Sequence, residues 1–461
     1  MNPGAANRPP PRKQGMQKNG NYEFLTQAPV GRVIATMAVP TIISMLVTSL
    51  YNIVDTYFVG KISTQATAAV GVVFPVMTVI QAFGFFFGQG SGTYISRSLG
   101  AQKSADASKM AATAFFCSLA SGTLITALGL IFLEPISRAL GSTPTILPLT
   151  KEFLGILLLG APFMTASMTL NNQMRFQGNA FYAMVGVVAG ALLNVILVPI
   201  FTFTLGLGIR GTAIGTVIGQ IVGFVTLLLM SRRSGGIRIR PAEFSRERRF
   251  YRVIFKDGTP SLSRQGLASL AVFLLNLAAV PYGDAAIAGM SIVGRISSVV
   301  FAIVIGIGQG FQPMCGFSYG ARLYGRVRKG FFFCLQCGVA FTLLCGIPGF
   351  ICAPAIVDLL RHDPEVVAVG ADALRWQIVS WPVAAFITFA NMILQTSGRS
   401  LSANIVAACR NGICFIPLII VLPRIIGLTG VEICQAAADL LSFAIALPVI
   451  VRYFRSLRRD L

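Results

Sequence analysis

Two stretches of the sequence, GQGSGTYISRSLGA at residues 88–101 and GQGFQPMCGFSYGA at residues 308–321, lie 220 positions apart and begin and end alike. The same separation relates four further pairs of residues, which are Pro40 with Pro260, Pro162 with Pro382, Asn171 with Asn391, and Gly178 with Gly398. Membrane helices are rich in Gly and Pro, but this does not explain the matched Gln and Asn. The sequence therefore predicts an internal repeat.

The composition is that of a membrane protein. Of the 461 residues, 54% are hydrophobic and only 11% are charged, whereas an ordinary soluble domain carries about 25% charged residues. From Val33 onward, apolar stretches recur that are long enough to cross a hydrocarbon core about 30 Å thick. They predict an all-α polytopic membrane protein with about twelve transmembrane helices.

The repeat and the spans together predict the domain organisation. Each repeat holds about six spans, and an even number returns the chain to the side where it started, so the two lobes are parallel and pseudo-symmetric. Transporters that rock two halves about a central site are typically built this way. We expect a disordered cytoplasmic leader at 1–32, an N-terminal lobe at 33–231, a basic cytoplasmic linker at 232–258, a C-terminal lobe at 259–452 and a cytoplasmic tail at 453–461.

The net charge of +21 is unevenly distributed over the predicted loops. If the chain starts inside, 27 of the 37 Lys and Arg residues fall on the inner side and seven on the outer side, and Arg264, Arg295 and Arg410 remain within spans. Such a bias predicts that both termini are cytoplasmic. It also favours a topological role beside anionic lipid over nucleic-acid binding for the basic linker.

The first span carries a carboxylate, in LYNIVDTYFVG at residues 50–60. An acid facing lipid costs at least about 2.5 kcal/mol, so Asp55 either reaches water at the interface or faces a cavity. The second interpretation is favoured because the polar residues of this helix form one stripe, with spacings of 3, 4, 4 and 3, through Thr41, Ser44, Thr48, Asn52 and Asp55.

Two later spans offer partners for this acid. In residues 205–223, a glycine recurs at every fourth position from Gly211, which predicts a ridge that lets a neighbouring helix approach closely. Thr216 follows one of these glycines. Asn194 is a lone amide in an apolar helix, where it either hydrogen-bonds across helices or belongs to a site.

These motifs together resemble the multidrug and toxic compound extrusion (MATE) transporters, in particular their DinF-like branch. The segments that carry the resemblance are NIVDTYFVG at 52–60, GQG at 88–90, GAP at 160–162, MRFQGN at 174–179 and LGLGIRGTAIGT at 205–216. The resemblance implies two six-helix lobes in a V that export cationic or amphiphilic small molecules in exchange for sodium ions or protons. It also implies that Asp55 is the cation-coupling carboxylate, with Asn194 and Thr216 near it.

The resemblance further suggests residues that line a substrate cavity, each of which is equally compatible with packing. They are Thr48, Tyr51, Asn52, Met164, Met168 and Asn171. Arg264, after Pro260, either lines this cavity or reaches toward the interface. No metal site and no cofactor are expected. We expect a monomer in the bacterial inner membrane.

Two departures from the branch bear on the coupling ion. Val198 stands where an acid is usual, and Phe153 stands where a Tyr is usual. A dehydrated hard cation needs several oxygen ligands, by analogy with calcium, whereas burial among apolar neighbours favours the protonated form of a carboxylate. The sequence therefore predicts coupling to protons rather than sodium.

Other functions remain open at this point. A flippase for lipid-linked precursors would share the fold, but more cationic side chains would be expected in its cavity to hold phosphates. An enzyme would need clustered catalytic groups, and none is apparent in the sequence. We therefore expect an antiporter that works by alternating access.

Overall fold

The computed structural model describes residues 14–459, except for the side chains of residues 14–20, 52, 458 and 459. Every regular element in this part of the chain is a helix. Twelve helical segments are long and apolar enough to cross a membrane. The predicted fold class, an all-α polytopic membrane protein, is confirmed.

Six spans and two shorter helices make up the first half. In chain order they are α1 (Gln14–Gln27), α2 (Val30–Gly60), α3 (Thr64–Gly100), α4 (Ser104–Ile131), α5 (Leu133–Ala139), α6 (Leu147–Phe176), α7 (Ala180–Pro199) and α8 (Ile209–Arg233). The spans are α2, α3, α4, α6, α7 and α8, and a π-helical turn extends the α7 span to Thr204.

The second half follows the same plan. Its helices are α9 (Arg248–Ala279), α10 (Asp284–Gly320), α11 (Tyr324–Ile351), α12 (Ala353–Leu360), α13 (Pro364–Thr396), α14 (Ser400–Ala408), α15 (Phe415–Ile426) and α16 (Leu428–Arg459). A π-helical turn at Cys409–Ile413 joins α14 and α15 into one span.

The repeat predicted from the sequence extends to the backbone. Helices α3 and α10 each have 37 residues, and α4 and α11 each have 28. In the described chain, two non-glycine residues have positive φ, and both have φ of 59°. They are Gln102 and Arg322, which occupy equivalent positions after α3 and α10. Since such a conformation is uncommon for L-residues, its recurrence is strong evidence for two copies of one fold.

The two halves meet at one end of the molecule and separate at the other. We call the end where the described chain starts and finishes the inner end. Two buried clusters near the inner end combine residues of both halves, with Val33 beside Phe331 in one and Phe86 beside Ile254 in the other. At the outer end, one cluster is built from the first half alone and another from the second half alone. The lobes therefore form a V that opens on the outer side.

The expectation of a disordered leader is wrong for the residues that the structure describes. Helix α1 ends at Gln27 and α2 begins at Val30, while the rest of the leader, residues 1–13, lies outside the described residues. Leu25 is fully buried in the cluster that joins the halves. Arg326 Nε donates a hydrogen bond to the carbonyl oxygen of Leu25 over 3.2 Å. Apolar residues within the polar leader thus hold α1 against the bundle.

Two other expected boundaries shift because apolar residues extend the neighbouring helices into segments that the sequence predicts as linker and tail. The linker expected at 232–258 is shorter, because α9 begins at Arg248. The tail expected at 453–461 continues α16 as far as Arg459, with Tyr453 and Leu457 buried.

Candidate functional site: a cavity between the halves

A cavity of about 350 Å³ lies between the two halves, mostly within the first. Helices α2, α3, α6, α7 and α8 supply most of its wall, and α9 and α10 close it from the second half. This volume falls within the range of about 300–1,000 Å³ that is typical of sites for drug-sized ligands.

Three of the five residues in the polar stripe of α2 line this cavity. Thr41, Ser44, Thr48 and Tyr51 are lining residues. The hydroxyl groups of Thr41, Ser44 and Thr48 donate to carbonyls one turn back, over 2.8, 2.9 and 2.8 Å. They are therefore satisfied without a partner helix. The expected lining residue Asn52 has a side chain outside the described ones.

Asp55 lies one helical turn outward from Tyr51 and is not among the lining residues. Its Oδ1 atom is buried and accepts no hydrogen bond from any side chain or backbone group that the structure describes. Almost all buried polar atoms in proteins have a partner. A proton, a cation or a water could each supply the one that is missing here.

Asn194 and Thr216, which the resemblance places near Asp55, are hydrogen-bonded to each other. Both line the cavity, and Asn194 Nδ2 donates to Thr216 Oγ1 over 3.2 Å. The glycine ridge makes this possible, because a Cβ atom at Gly219 would lie 3.0 Å from the carbonyl oxygen of Gly190. Neither side chain hydrogen-bonds to Asp55, so the three expected coupling residues do not form one hydrogen-bonded cluster.

Methionines form much of the apolar wall. Met164 and Met168 line the cavity as expected, and Met45 and Met184 join them. Their thioethers are flexible and polarisable, which suits contact with apolar ligands of varied shape. Asn171, also expected, lines the cavity while its Nδ2 donates to the carbonyl of Ala183 over 3.0 Å, which is a structural contact.

Sequence reasoning missed Arg175, which we counted with the inner loops. It lies within α6, is 3% exposed and lines the cavity. Its Nη2 donates to Asn172 Oδ1 over 2.5 Å, its Nη1 donates to Gln309 Oε1, and its Nε has no partner. Gln89 Nε2 also donates to Asn172 Oδ1, over 3.0 Å. The one sequence signal for this network was the pair Gln89 and Gln309, which occupy equivalent positions in the two repeats and both belong to it.

Arg264 is the second basic residue of the cavity and lines it from α9. It makes no hydrogen bond or ion pair with any residue that the structure describes. Its charge repels that of Arg175. The lining residues include no Asp or Glu, so the charged groups of this wall are both positive.

An ion pair between the halves closes the inner end. Arg97 of α3 donates from Nη2 to Asp257 Oδ2 of α9 over 2.6 Å, and its Nη1 donates to the carbonyl of Thr396 over 2.6 Å. Ser400 Oγ donates to the other carboxylate oxygen of Asp257. Arg97 of the first half is thus held by two residues of the second, Asp257 and Thr396, and Ser400 supports the carboxylate.

The model of the MatE family matches residues 40–200 and 260–421, one match in each half. The chain belongs to the MatE family. Among curated relatives of this MatE protein is the multidrug export protein MepA of Staphylococcus aureus strain MSSA476, 27% identical over 439 residues, which are 92% of this chain and 96% of that protein. MepA of Staphylococcus haemolyticus is 26% identical over 416 residues, 90% of this chain and 92% of its own.

Solved structures agree with the fold. A MATE transporter in an outward-facing conformation superposes with a TM-score of 0.90 at 24% identity, covering 95% of this chain and 99% of its own. The predicted resemblance to MATE transporters is confirmed, and the assignment to the DinF-like branch stays a prediction.

Proposed function

We propose that this MatE protein is a proton-coupled antiporter that exports amphiphilic small molecules by alternating access. The observation that carries the proposal is the buried Oδ1 atom of Asp55, which has no hydrogen-bond partner among the described residues, on the helix from which Thr41, Ser44 and Thr48 line the cavity. The names of the MepA relatives support multidrug export as the physiological role. The inner, cytoplasmic position of both termini is the orientation expected from the charge bias.

Asp55 is the coupling residue of this proposal. A carboxylate inside a span is costly unless it is paired or neutralised, and no basic side chain pairs with Asp55 among the described residues. Binding and release of a cation would therefore change the local charge at this point. A conformational equilibrium shifts only as far as the cation binds one state more tightly than the other.

Protons fit this site better than sodium. Asp55 is the one acid on α2, Val198 is fully buried where the branch usually has an acid, and Thr216 already accepts from Asn194. Few protein oxygens remain to replace the hydration shell of a metal cation. A proton needs only one carboxylate oxygen.

Alternating access is supported by the way the halves meet. The ion pair of Arg97 and Asp257 lies on the inner side of the cavity. On the outer side, one buried cluster is built from the first half and the other from the second half. The described conformation is therefore closed at the inner end. Rocking the halves about the cavity would open that end and close the outer one.

A flippase for lipid-linked precursors is the second candidate. One observation favours it: the cavity holds two guanidinium groups, those of Arg175 and Arg264. Of the three arginines that the sequence places within spans, Arg264, Arg295 and Arg410, only Arg264 is among its lining residues. Arginine forks bind phosphates well. The cavity volume of about 350 Å³ suits a drug-sized ligand more closely, so we rank export of small amphiphiles first.

Transport by reconstituted protein tests the proposal. Purified protein in vesicles is given a pH gradient without sodium, then a sodium gradient at equal pH, and the movement of a fluorescent amphiphile is followed. We expect transport under the pH gradient alone. Asp55→Asn should reduce it to the level of empty vesicles, because an amide cannot exchange a proton.

The matched control is Asp284→Asn, the same change at an exposed position at the outer start of α10. It should transport like the parent protein. Transport driven by sodium alone would refute proton coupling. Full transport by a folded Asp55→Asn protein would refute the role of Asp55.

A further inference from the structure

We propose that the two arginines of the cavity bind an anionic group of the substrate, so that the exported compounds are amphiphilic anions, such as organic carboxylates, sulfonates or phosphate esters. This inference rests on the proposed function in taking the cavity as the substrate site. It departs from the expectation of cationic substrates that the family resemblance implies.

The charge balance of the cavity is the first argument. Arg175 is 3% exposed and hydrogen-bonds only to neutral amides, while its Nε atom is buried without a partner. Arg264 has no hydrogen-bonding partner among the described residues and repels Arg175. Two uncompensated positive charges in one cavity are costly. An anion between them would remove that cost, whereas a cation would add to it.

The chemistry of arginine is the second argument. A guanidinium is always charged and presents a fork of donors that matches carboxylate, sulfonate and phosphate oxygens. Arg175 still has Nε to donate, and no donor of Arg264 is bonded to any residue of the part of the chain that the structure describes. The network on Asn172 and Gln309 fixes the orientation of Arg175. A binding group for oxyanions is thus already in place.

The rest of the wall indicates that the anion belongs to an amphiphile. Four methionines and Phe85 supply apolar surface within the same cavity. The volume of about 350 Å³ has room for an aromatic or short aliphatic body beside the charged group. Asp55 is not among the lining residues, so a bound anion would not meet its carboxylate there.

A purely structural role explains only one of the two arginines. Arg175 reaches from the first half to Gln309 of the second and could serve to join them. Arg264 joins nothing among the described residues, yet it comes from a helix that packs against the cavity. The experiment therefore uses Arg264.

Equilibrium binding to purified protein, with no ion gradient, tests the inference. Two fluorescent probes share one aromatic ring system, one carrying a sulfonate and the other an ammonium group. We expect the sulfonate to bind more tightly to the parent protein. Arg264→Gln should weaken sulfonate binding by about tenfold or more, as expected for the loss of a charged hydrogen bond, without weakening the ammonium probe. Arg264→Lys should retain more of the affinity than Arg264→Gln.

Arg295→Gln is the matched control, since Arg295 lies in a span but is exposed and does not line the cavity. It should bind both probes like the parent. A third probe, a fluorescent short-chain lipid phosphate, identifies the source of the anion. Binding of the sulfonate that depends on Arg264 supports a soluble amphiphile, and such binding of the lipid phosphate alone supports a lipid headgroup.

Two outcomes would overturn the inference. One is tighter binding of the ammonium probe than of either anion, and the other is anion binding that Arg264→Gln leaves unchanged. Because no gradient is applied, these outcomes are separate from the Asp55→Asn test. Transport could fail while the order of binding holds, and the reverse is equally possible.

Discussion

Removing the carboxylate that closes the inner end should open it, and the structure sets the size of the effect. In Asp257→Asn, the charge of Arg97 loses its 2.6 Å partner across the halves. Removing one partner of a buried ion pair costs about 3–5 kcal/mol. The side chain of Arg97 is 17% exposed and that of Asp257 3% exposed, so solvent relieves part of the cost and about 3 kcal/mol is the appropriate estimate.

This cost falls on one conformation only. Arg97 belongs to the first half and its partners to the second, so the pair exists only while the inner ends touch. A loss of about 3 kcal/mol therefore shifts the equilibrium toward an inner-open state by about two orders of magnitude, at about 1.4 kcal/mol for each factor of ten. The thermal stability of each half should change little.

A buried cysteine can report this opening. Ser96 is fully buried at the inner interface, where a Cβ atom on Gly316 would lie 2.0 Å from its Oγ. In a Ser96→Cys background, the alkylation rate of that residue, followed by mass spectrometry of its peptide, should rise about a hundredfold on adding Asp257→Asn. An unchanged rate in a folded protein would refute the role of the pair as a lock.

The second half provides a control for this experiment. Arg410 Nε lies 2.9 Å from Asp439 Oδ1, with side chains 23% and 1% exposed, which is a pair of similar burial. Both partners belong to the same half, so Asp439→Asn should lower stability without exposing Cys at position 96. Equal labelling in the two variants would mean that general loosening, and not a lock, explains the signal.

Two smaller changes test the packing of the site. Gly310→Ala should weaken the contact between the halves by about 1–3 kcal/mol, because its Cβ atom would lie 2.5 Å from Ala38 Cα. The expected readout is faster alkylation of the cysteine at position 96. Gly294→Ala is the control and should leave this rate unchanged, because a Cβ atom there would have no atom within 4 Å. Thr216→Val should lower the free energy of unfolding by about 1–3 kcal/mol, since it leaves the buried Asn194 amide without its acceptor. Thr216→Ser keeps a hydroxyl group and should retain most of that stability. A denaturant titration measures both variants.

The spans and the repeat could be predicted because both are one-dimensional signals. Apolar run length reports a membrane span directly, and a constant separation of matched residues reports duplication. The spacing of the polar residues in α2 indicated which side of that helix is turned to the cavity, and the glycine ridge indicated that α7 and α8 pack closely. Each of these properties can be read from the order and spacing of residues along the chain, so no three-dimensional information was needed.

The features that were missed depend on contacts between distant segments. Arg175 lies near the end of α6, where a count of loop charges cannot distinguish a buried residue from a solvated one, and its partner Gln309 lies far along the chain. Helix α1 was missed because the mean composition of the leader is polar, whereas the helix is held by a few apolar residues such as Leu25, which is buried in the cluster that joins the halves. The mean composition of a segment does not reveal whether a single residue in it is buried.

The position of Arg264 could have been inferred from the repeat itself. A shift of 220 positions places Arg264 on Ser44, and Ser261 on Thr41. Since Thr41 and Ser44 face the cavity, their counterparts should face it from the opposite half, and Arg264 does so. Ser261 does not line it, since its hydroxyl is buried and accepts a hydrogen bond from Gln395. The repeat therefore predicts the direction of one of these two side chains.

The same comparison shows that the symmetry of the backbone is not matched by its charges. The counterpart of Asp55 is Leu275, and that of Arg175 is Gln395. Because the repeats are parallel, this symmetry relates one half to the other and does not relate the inner-closed arrangement of the halves to the outer-closed one. If each charge is present in one half only, a proton or an anion interacts differently with the two arrangements. That difference in affinity limits how far either ligand can shift the population, so the unpaired charges, and not the symmetric scaffold, would couple ligand binding to the change of arrangement.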